Sequence, residues 1–217
     1  MKNNISKLII IFNLFLGFFN ANATEQFNFD VTEIQILENG NKFIGTKRGV
    51  VSNDDGVEIE ADYFEYNKNT NILEAKGDVK VIDKIKKHKI FSDQIIYKKN
   101  DNFIFTNGNS KAVSSEDNIV ITGEIFEYER NENIIKAKNN VIIENKTENY
   151  LIYSEFISYF KEQDKIITKG KTSGKIKSKY NFQSKDITFL KKSNELFSEK
   201  KSISPDLKAS RSILRSL

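Results

Sequence analysis

One pattern of alternating side chains returns along this chain at a fixed interval, and that repeat limits the fold more than any other feature. Its clearest copy is Val57–Val81. Val57, Ile59, Ala61 and Tyr63 alternate with Glu58, Glu60 and Asp62. A period of two places the apolar set on one face of a pleated strand and the carboxylates on the other. Phe64 and Tyr66 then carry the apolar phase onto even numbers, which requires a bulge or bend near Tyr63–Phe64. Asn67–Asn71 is a polar run of turn-forming residues. Beyond it Leu73, Ala75, Gly77, Val79 and Val81 alternate with Glu74, Lys76, Asp78 and Lys80. The unit is two strands and a turn. Its Asp62–Tyr66 segment returns as Asp93–Tyr97, Glu124–Tyr128 and Glu155–Tyr159, each 31 residues after the last. A fifth copy, one residue short, is Ser184–Phe189, and a degenerate one carries Ile34 and Ile36 in the Phe64 and Tyr66 places. A two-strand unit cannot bury its own apolar face. Fixed-period repetition therefore predicts a stacked or rolled all-β architecture of antiparallel strands.

The third inward place of each copy is small: Ala61, Ser92, Gly123, Ser154 and Ser184. Two explanations fit, a bend where strands cross closely or room for a guest. Among the inward places the alternation singles out Ile59, Ala61, Phe64, Tyr66, Leu73, Ala75, Val79, Ile90, Ile95, Tyr97, Phe105, Ile121, Ile125, Phe126, Tyr128, Ile135, Val141, Ile152, Phe156 and Ile157. They are either plain core or the lining of an apolar slot.

The first 23 residues read as a signal peptide. Lys2 and Lys7 precede the apolar run Leu8–Phe19, and Ala21-Asn22-Ala23 fits cleavage after Ala23. The folded unit is expected over residues 24–199 and a frayed or disordered tail over residues 200–217. The formal charge of +4 falls to about +2 without Lys2 and Lys7. Lysine far outnumbers arginine and no basic stripe concentrates, so nothing points to nucleic acid.

Little catalytic chemistry is available. No cysteine is present, which removes thiol catalysis and cysteine-based metal sites. The single histidine, His88, stands at the repeat place of Val57, Ile119 and Tyr150 and reads as a strand-edge or half-buried side chain. The series Asp62, Asp93, Glu124 and Glu155 lacks the dense glycine-aspartate loops of a calcium-binding roll. It reads as a solvated outer ladder opposed by lysines. The arginines Arg48, Arg130, Arg211 and Arg215 are scattered, unlike the row that a carbohydrate-active β-helix needs. No cofactor is expected.

The motif Ala61-Asp62, Phe64, Tyr66, Ile72-Leu73, Ala75, Gly77, Val79, Val81, repeated behind a signal peptide, resembles the OstA-like domain. That domain forms the periplasmic lipopolysaccharide transport protein LptA and the N-terminal part of the outer-membrane assembly protein LptD. The resemblance covers roughly residues 31–199. It implies a β-jellyroll of curled sheets, with lipopolysaccharide acyl chains held between them and open end strands. It implies a non-enzymatic periplasmic carrier or bridge, possible outer-membrane association, and edge-strand pairing with other jellyroll proteins or head-to-tail with itself. Lys84, Lys86, Lys87 and Lys89 could then meet lipid phosphates at the rim. Two alternatives stay open: the N-terminal piece of a truncated LptD-type protein, and a structural β-solenoid with a dry core.

Overall fold

The computed structural model describes residues 27–177 and 179–198; the expected signal peptide (1–23) and tail (200–217) lie outside them. Each alternating stretch is a strand: β1 (Asn28–Leu37), β2 (Lys42–Ser52), β3 (Val57–Asn67), β4 (Ile72–Asp83), β5 (His88–Lys98), β6 (Phe103–Ser114), β7 (Ile119–Glu129), β8 (Ile134–Asn145), β9 (Tyr150–Phe160), β10 (Lys165–Ile176), β11 (Tyr180–Lys185), β12 (Ile187–Leu190) and β13 (Glu195–Ser198). Strands β1 to β10 follow one another across a single sheet in chain order. Every pairing is antiparallel. The last repeat is split: β10 pairs with β12 through its first half and with β11 through its second. The break falls at Asp186, whose backbone is left-handed and whose carboxylate accepts the Gly170 N–H at 2.9 Å.

The turns form two rows. One row holds residues 53–56, 84–87, 115–118 and 146–149. The other holds 38–41, 68–71, 99–102, 130–133, 161–164 and 191–194. In the second row the turns close on Asn71, Asn102, Asn133, Asp164 and Asn194, all at positive φ. Asn and Asp tolerate that region better than other side chains with a Cβ. Successive turns are also tied by backbone bonds, with the N–H groups of Lys68, Lys99, Arg130, Lys161 and Lys191 donating to Asn41, Asn71, Asn102, Asn133 and Asp164.

Midway along the strands runs a line of bulges. The register shifts at Glu60/Tyr63, Lys76/Val79, Phe91/Gln94, Asn107/Ser110, Thr122/Ile125 and Lys138/Val141. Positive φ values at Gly77-Asp78, Gly108-Asn109 and Asn139-Asn140 mark it on β4, β6 and β8. A bulge bends its strand and reverses which alternate residues face inward. The phase change expected near Tyr63–Phe64 is part of this line. It folds each strand so that its two halves face one another, and the single sheet becomes a roll.

The small inward places sit at this bend. Ser92 Oγ donates to the Gly108 carbonyl at 2.9 Å, and Ser154 Oγ lies 2.9 Å from Thr172 Oγ1. A Cβ on Gly123 would come within 3.3 Å of the Lys138 carbonyl. Neighbouring backbone and hydroxyls fill these places, so the bend accounts for them. The interior consists of columns of repeat-equivalent side chains: Ile59, Ile90, Ile121, Ile152; Phe64, Ile95, Phe126, Ile157; and Tyr66, Tyr97, Tyr128, Tyr159, all buried.

Candidate functional site

Of the twenty candidate lining residues, seventeen are buried in the interior: Ile59, Ala61, Phe64, Tyr66, Leu73, Ala75, Val79, Ile90, Ile95, Tyr97, Ile121, Phe126, Tyr128, Ile135, Val141, Ile152 and Ile157. Phe105, Ile125 and Phe156 are not among them. They stand half-buried on the outer face, and the repeat explains why. Phe105 is 31 residues after Glu74, an outward place, whereas its neighbours Ile104 and Thr106 follow Leu73 and Ala75. Ile125 and Phe156 stand at the Tyr63 place, the one residue that the bulge turns outward.

Among the described residues the interior is uncovered at the β1 end. By register, Phe29, Val31, Ile34 and Ile36 stand opposite Val51, Gly49, Gly45 and Phe43 on the inward face. Phe29, Val31 and Phe43 are half-buried against the core, and Phe29 stacks on Phe43 with ring centres 5.6 Å apart. Phe27 lies edge-on to Tyr66 at 4.9 Å and to Tyr97 at 5.7 Å. Beyond them Ile34 and Ile36 remain 45% and 58% exposed. The apolar face thus runs on past the point where an opposing half covers it. Among the described residues β1 pairs only with β2, and β13 only with β12.

Opposite the line of bulges, the two rows of turns meet in a charged seam. Arg130 Nε donates to Asp83 Oδ2 at 2.8 Å, and its other nitrogens reach Asn102 Oδ1 at 2.7 Å and the Asp55 carbonyl at 3.0 Å. The Tyr128 hydroxyl donates to the same Asp83 oxygen at 3.0 Å. One rung along the roll, Lys161 pairs with Glu116 at 2.8 Å while the Tyr159 hydroxyl donates to Asp117 at 2.8 Å. One rung the other way, Lys99 pairs with Asp55 and Asn53 Nδ2 donates to the Tyr97 hydroxyl at 3.1 Å. At the far end Lys191 lies 3.2 Å from Asp164 and 3.7 Å from Glu148. Burial resists ionisation of Asp83, but Arg130, the Lys86 N–H and Tyr128 outweigh it and hold the carboxyl below its ordinary range. Asp117 is likewise held low, against burial, by Ser114, Tyr159 and Lys161. Burial pushes the Tyr128 and Tyr159 hydroxyls up, so both remain protonated donors.

His88 departs from the expectation of a strand-edge or half-buried side chain, because it is fully buried beneath the seam. Its Nε2 lies 2.7 Å from Asn133 Oδ1. Asn133 Nδ2 donates to Glu162, so Oδ1 is free to accept and Nε2 carries the hydrogen. The ring stands edge-on to Tyr128 at 5.4 Å. Burial lowers the imidazole pKa, and the Asn133 contact opposes this only in part. Below pH about 6.5 the unfolded chain therefore binds a proton that the folded chain refuses, and stability falls with pH. Over pH 7.5 to 5.5 the wild type is expected to lose up to about 1.4 kcal/mol per pH unit. His88→Val, which installs the residue of the Val57 place, should flatten that slope in urea titrations. An unchanged slope would assign it to other groups.

The outer ladder Asp62, Asp93, Glu124 and Glu155 is exposed along the line of bulges. Its partners correct the expectation of opposing lysines. Arg48 holds Asp62 at 2.9 Å, Asn109 holds Asp93 at 2.8 Å, and Asn139 reaches Glu124 at 3.4 Å. Of the rim lysines, Lys84 pairs with Glu58 at 2.7 Å and Lys87 with Glu116 at 3.1 Å.

No protein-family model matches the chain, and no curated protein matches it. A solved structure similar to it is LptH from Pseudomonas aeruginosa, the LptA-homologous periplasmic component of the conserved lipopolysaccharide transport device. The likeness covers 71% of this chain and 92% of that one, at 12% identity and a TM-score of 0.29. A TM-score that low leaves function to be argued from this chain's own residues.

The seam residues escaped the reading of the sequence, although a signal for them exists. Two residues after the last inward aromatic before each turn of the second row comes a cation: Tyr66 and Lys68, Tyr97 and Lys99, Tyr128 and Arg130, Tyr159 and Lys161, Phe189 and Lys191. For Lys99, Arg130 and Lys161 the acidic partners Asp55, Asp83 and Glu116 lie more than forty residues earlier in the chain, as with Arg130 and Asp83, 47 apart.

Proposed function

We propose that this protein is a non-enzymatic lipopolysaccharide carrier or bridge of the periplasm, with acyl chains held between the two halves of the roll. The observation that carries this reading is the unfinished interior at β1, where the inward apolar row ends on exposed Ile34 and Ile36. Exposed apolar surface continuous with a core marks a surface that something else covers. Each lipid methylene buried there is worth about 0.8 kcal/mol. The OstA-like motif points the same way, and so does the β1 edge as a place where another jellyroll, or a second copy, could add a strand.

Binding tests it directly. Protein starting at Thr24, the residue after the expected cleavage site, is titrated with lipopolysaccharide beside an Ile36→Glu variant. Ile36 is exposed, so the substitution leaves the core intact. Wild-type binding at micromolar concentration or tighter, weakened roughly tenfold by the charge, is the expected result. Absence of binding by folded wild-type protein would overturn the carrier reading. A structural module with a dry core would then stand, and the complete burial of Tyr97, Tyr128 and Tyr159 already favours that second reading.

A further inference from the structure

Charge is divided unevenly along this chain. Residues 165–217 carry fourteen cations and only four carboxylates, so residues 1–164 are net negative. The expectation that no basic stripe concentrates fails at the last strands. From Lys165 to Lys185 seven lysines stand with no acid among them. Apolar and hydroxyl residues interleave them, which dilutes the run along the chain, and the sheet collects them. Lys169, Lys171 and Lys175 on β10 and Lys185 on β11 are exposed on the outer face, while Thr168, Thr172 and Ile176 beside them are buried inward. Lys171 and Lys185 stand directly opposite one another in the register. Like charges in that position destabilise a strand pair, and an opposite charge from outside relieves them.

Among the described residues no carboxylate supplies that charge. The ion pairs at this end belong to Lys161 and Lys191, which answer Glu116, Asp117, Glu148 and Asp164 at the seam. None reaches Lys169, Lys171, Lys175 or Lys185. Two carboxylates border the face: Glu155 passes beside Gly170 without an ion pair, and Asp186 is spent on the Gly170 N–H. On β2, β4 and β8, by contrast, every cation pairs with a carboxylate. Two exposed aromatics share the outer face of the last strands. Tyr153, 44% exposed, stands opposite Ser173, and Phe197, 40% exposed, stands opposite Thr188.

We propose that the outer face of β10 and β11 docks on the surface of a bilayer rich in anionic phospholipid. Three observations select that partner. The cations from 165 to 185 are all lysines. Lysine is a point charge on a flexible stem and suits a fluid layer of headgroups, whereas fixed carboxylates and nucleic acid favour the planar fork of arginine. Tyrosine and phenylalanine beside lysines are the side chains that settle at a membrane–water interface. The basic character also continues past the end of β13, where residues 199–217 add five cations against two carboxylates. This docking does not depend on the carrier reading, because it uses the outer face and that reading uses the interior.

Sedimentation with vesicles tests it. Protein starting at Thr24 is mixed with phosphatidylcholine vesicles that either contain about one-third phosphatidylglycerol or lack it. Binding to the anionic vesicles alone, lost progressively as salt rises, is the expected result. A quadruple variant, Lys169→Gln, Lys171→Gln, Lys175→Gln and Lys185→Gln, keeps the stems and removes the charges. It should bind roughly a hundredfold more weakly. A second quadruple variant, Lys84→Gln, Lys86→Gln, Lys87→Gln and Lys89→Gln, removes the same charge elsewhere and should lose less than about threefold. Circular dichroism checks that each is folded. Failure of the wild type to bind anionic vesicles would overturn the proposal, as would wild-type binding by the first variant or equal losses in the two. Tighter binding to poly-glutamate than to the vesicles would overturn it in favour of an acidic protein. The vesicles hold no lipopolysaccharide, so a negative result leaves the carrier reading standing.

Discussion

Arg130→Ala is expected to lower the free energy of unfolding by about 3–5 kcal/mol. Arg130 and Asp83 are 6% and 1% exposed at the side chain, so truncating the cation strands a carboxylate that water cannot reach. The loss spreads further, because Arg130 also donates to Asn102 Oδ1 and to the Asp55 carbonyl. Urea unfolding at pH 7 measures the effect. Two controls identify its cause. Adding Asp83→Asn to Arg130→Ala should recover part of the loss, since a buried amide costs less than a buried unpaired charge. Acidification should narrow the gap. The folded pKa of Asp83 is depressed, so the pair's contribution is complete above the ordinary carboxylate range and disappears as pH falls through the folded value. A loss below about 1 kcal/mol at neutral pH would mean that the seam is open and hydrated.

The next largest expected effect contrasts adjacent residues. Phe126→Ala should cost about 3–5 kcal/mol, because the ring is completely buried and its removal leaves a cavity. Ile125→Ala, one residue earlier on β7, should cost about 1 kcal/mol or less, because the side chain is half-buried on the outer face. The same contrast holds on β6. Ile104→Ala should cost about 2–5 kcal/mol, and Phe105→Ala far less despite the larger side chain lost. Urea unfolding of the four variants tests the strand phase directly. Equal losses at Ile125 and Phe126 would place the bulge elsewhere.

Much of this fold is written in the sequence because its main determinants are local. A period of two defines a strand and its inward face within a few residues, as in Val57, Ile59 and Ala61. Turn chemistry is equally local: the polar runs ending at Asn71, Asn102 and Asn133 close hairpins because Asn accepts a left-handed backbone. Repetition at 31 residues does the rest, since copies that share a pattern stack in register. Seventeen of the candidate interior residues could be named on that basis.

The errors have a physical source as well. Alternation specifies a face only until a bulge reverses it, and the position of the bulge depends on both paired strands. Ile125 and Phe156 lie at that reversal, so their apolar character alone pointed the wrong way. For Phe105, comparison with Glu74 one repeat earlier carries the correct phase, which the residue's own hydrophobicity obscures.

From its amino acids alone this chain determines an all-β repeat, its strands and turns, and most of its inward-facing side chains. Those properties depend on neighbours two to five residues away and on a regular interval. Only the tertiary structure decides that the sheet rolls until its turn rows meet, that Arg130 finds Asp83, that His88 is buried against Asn133, and that Ile34 and Ile36 stay exposed. Each of these depends on how sharply the strands bend at their bulges, and that curvature brings together residues more than forty positions apart in the chain.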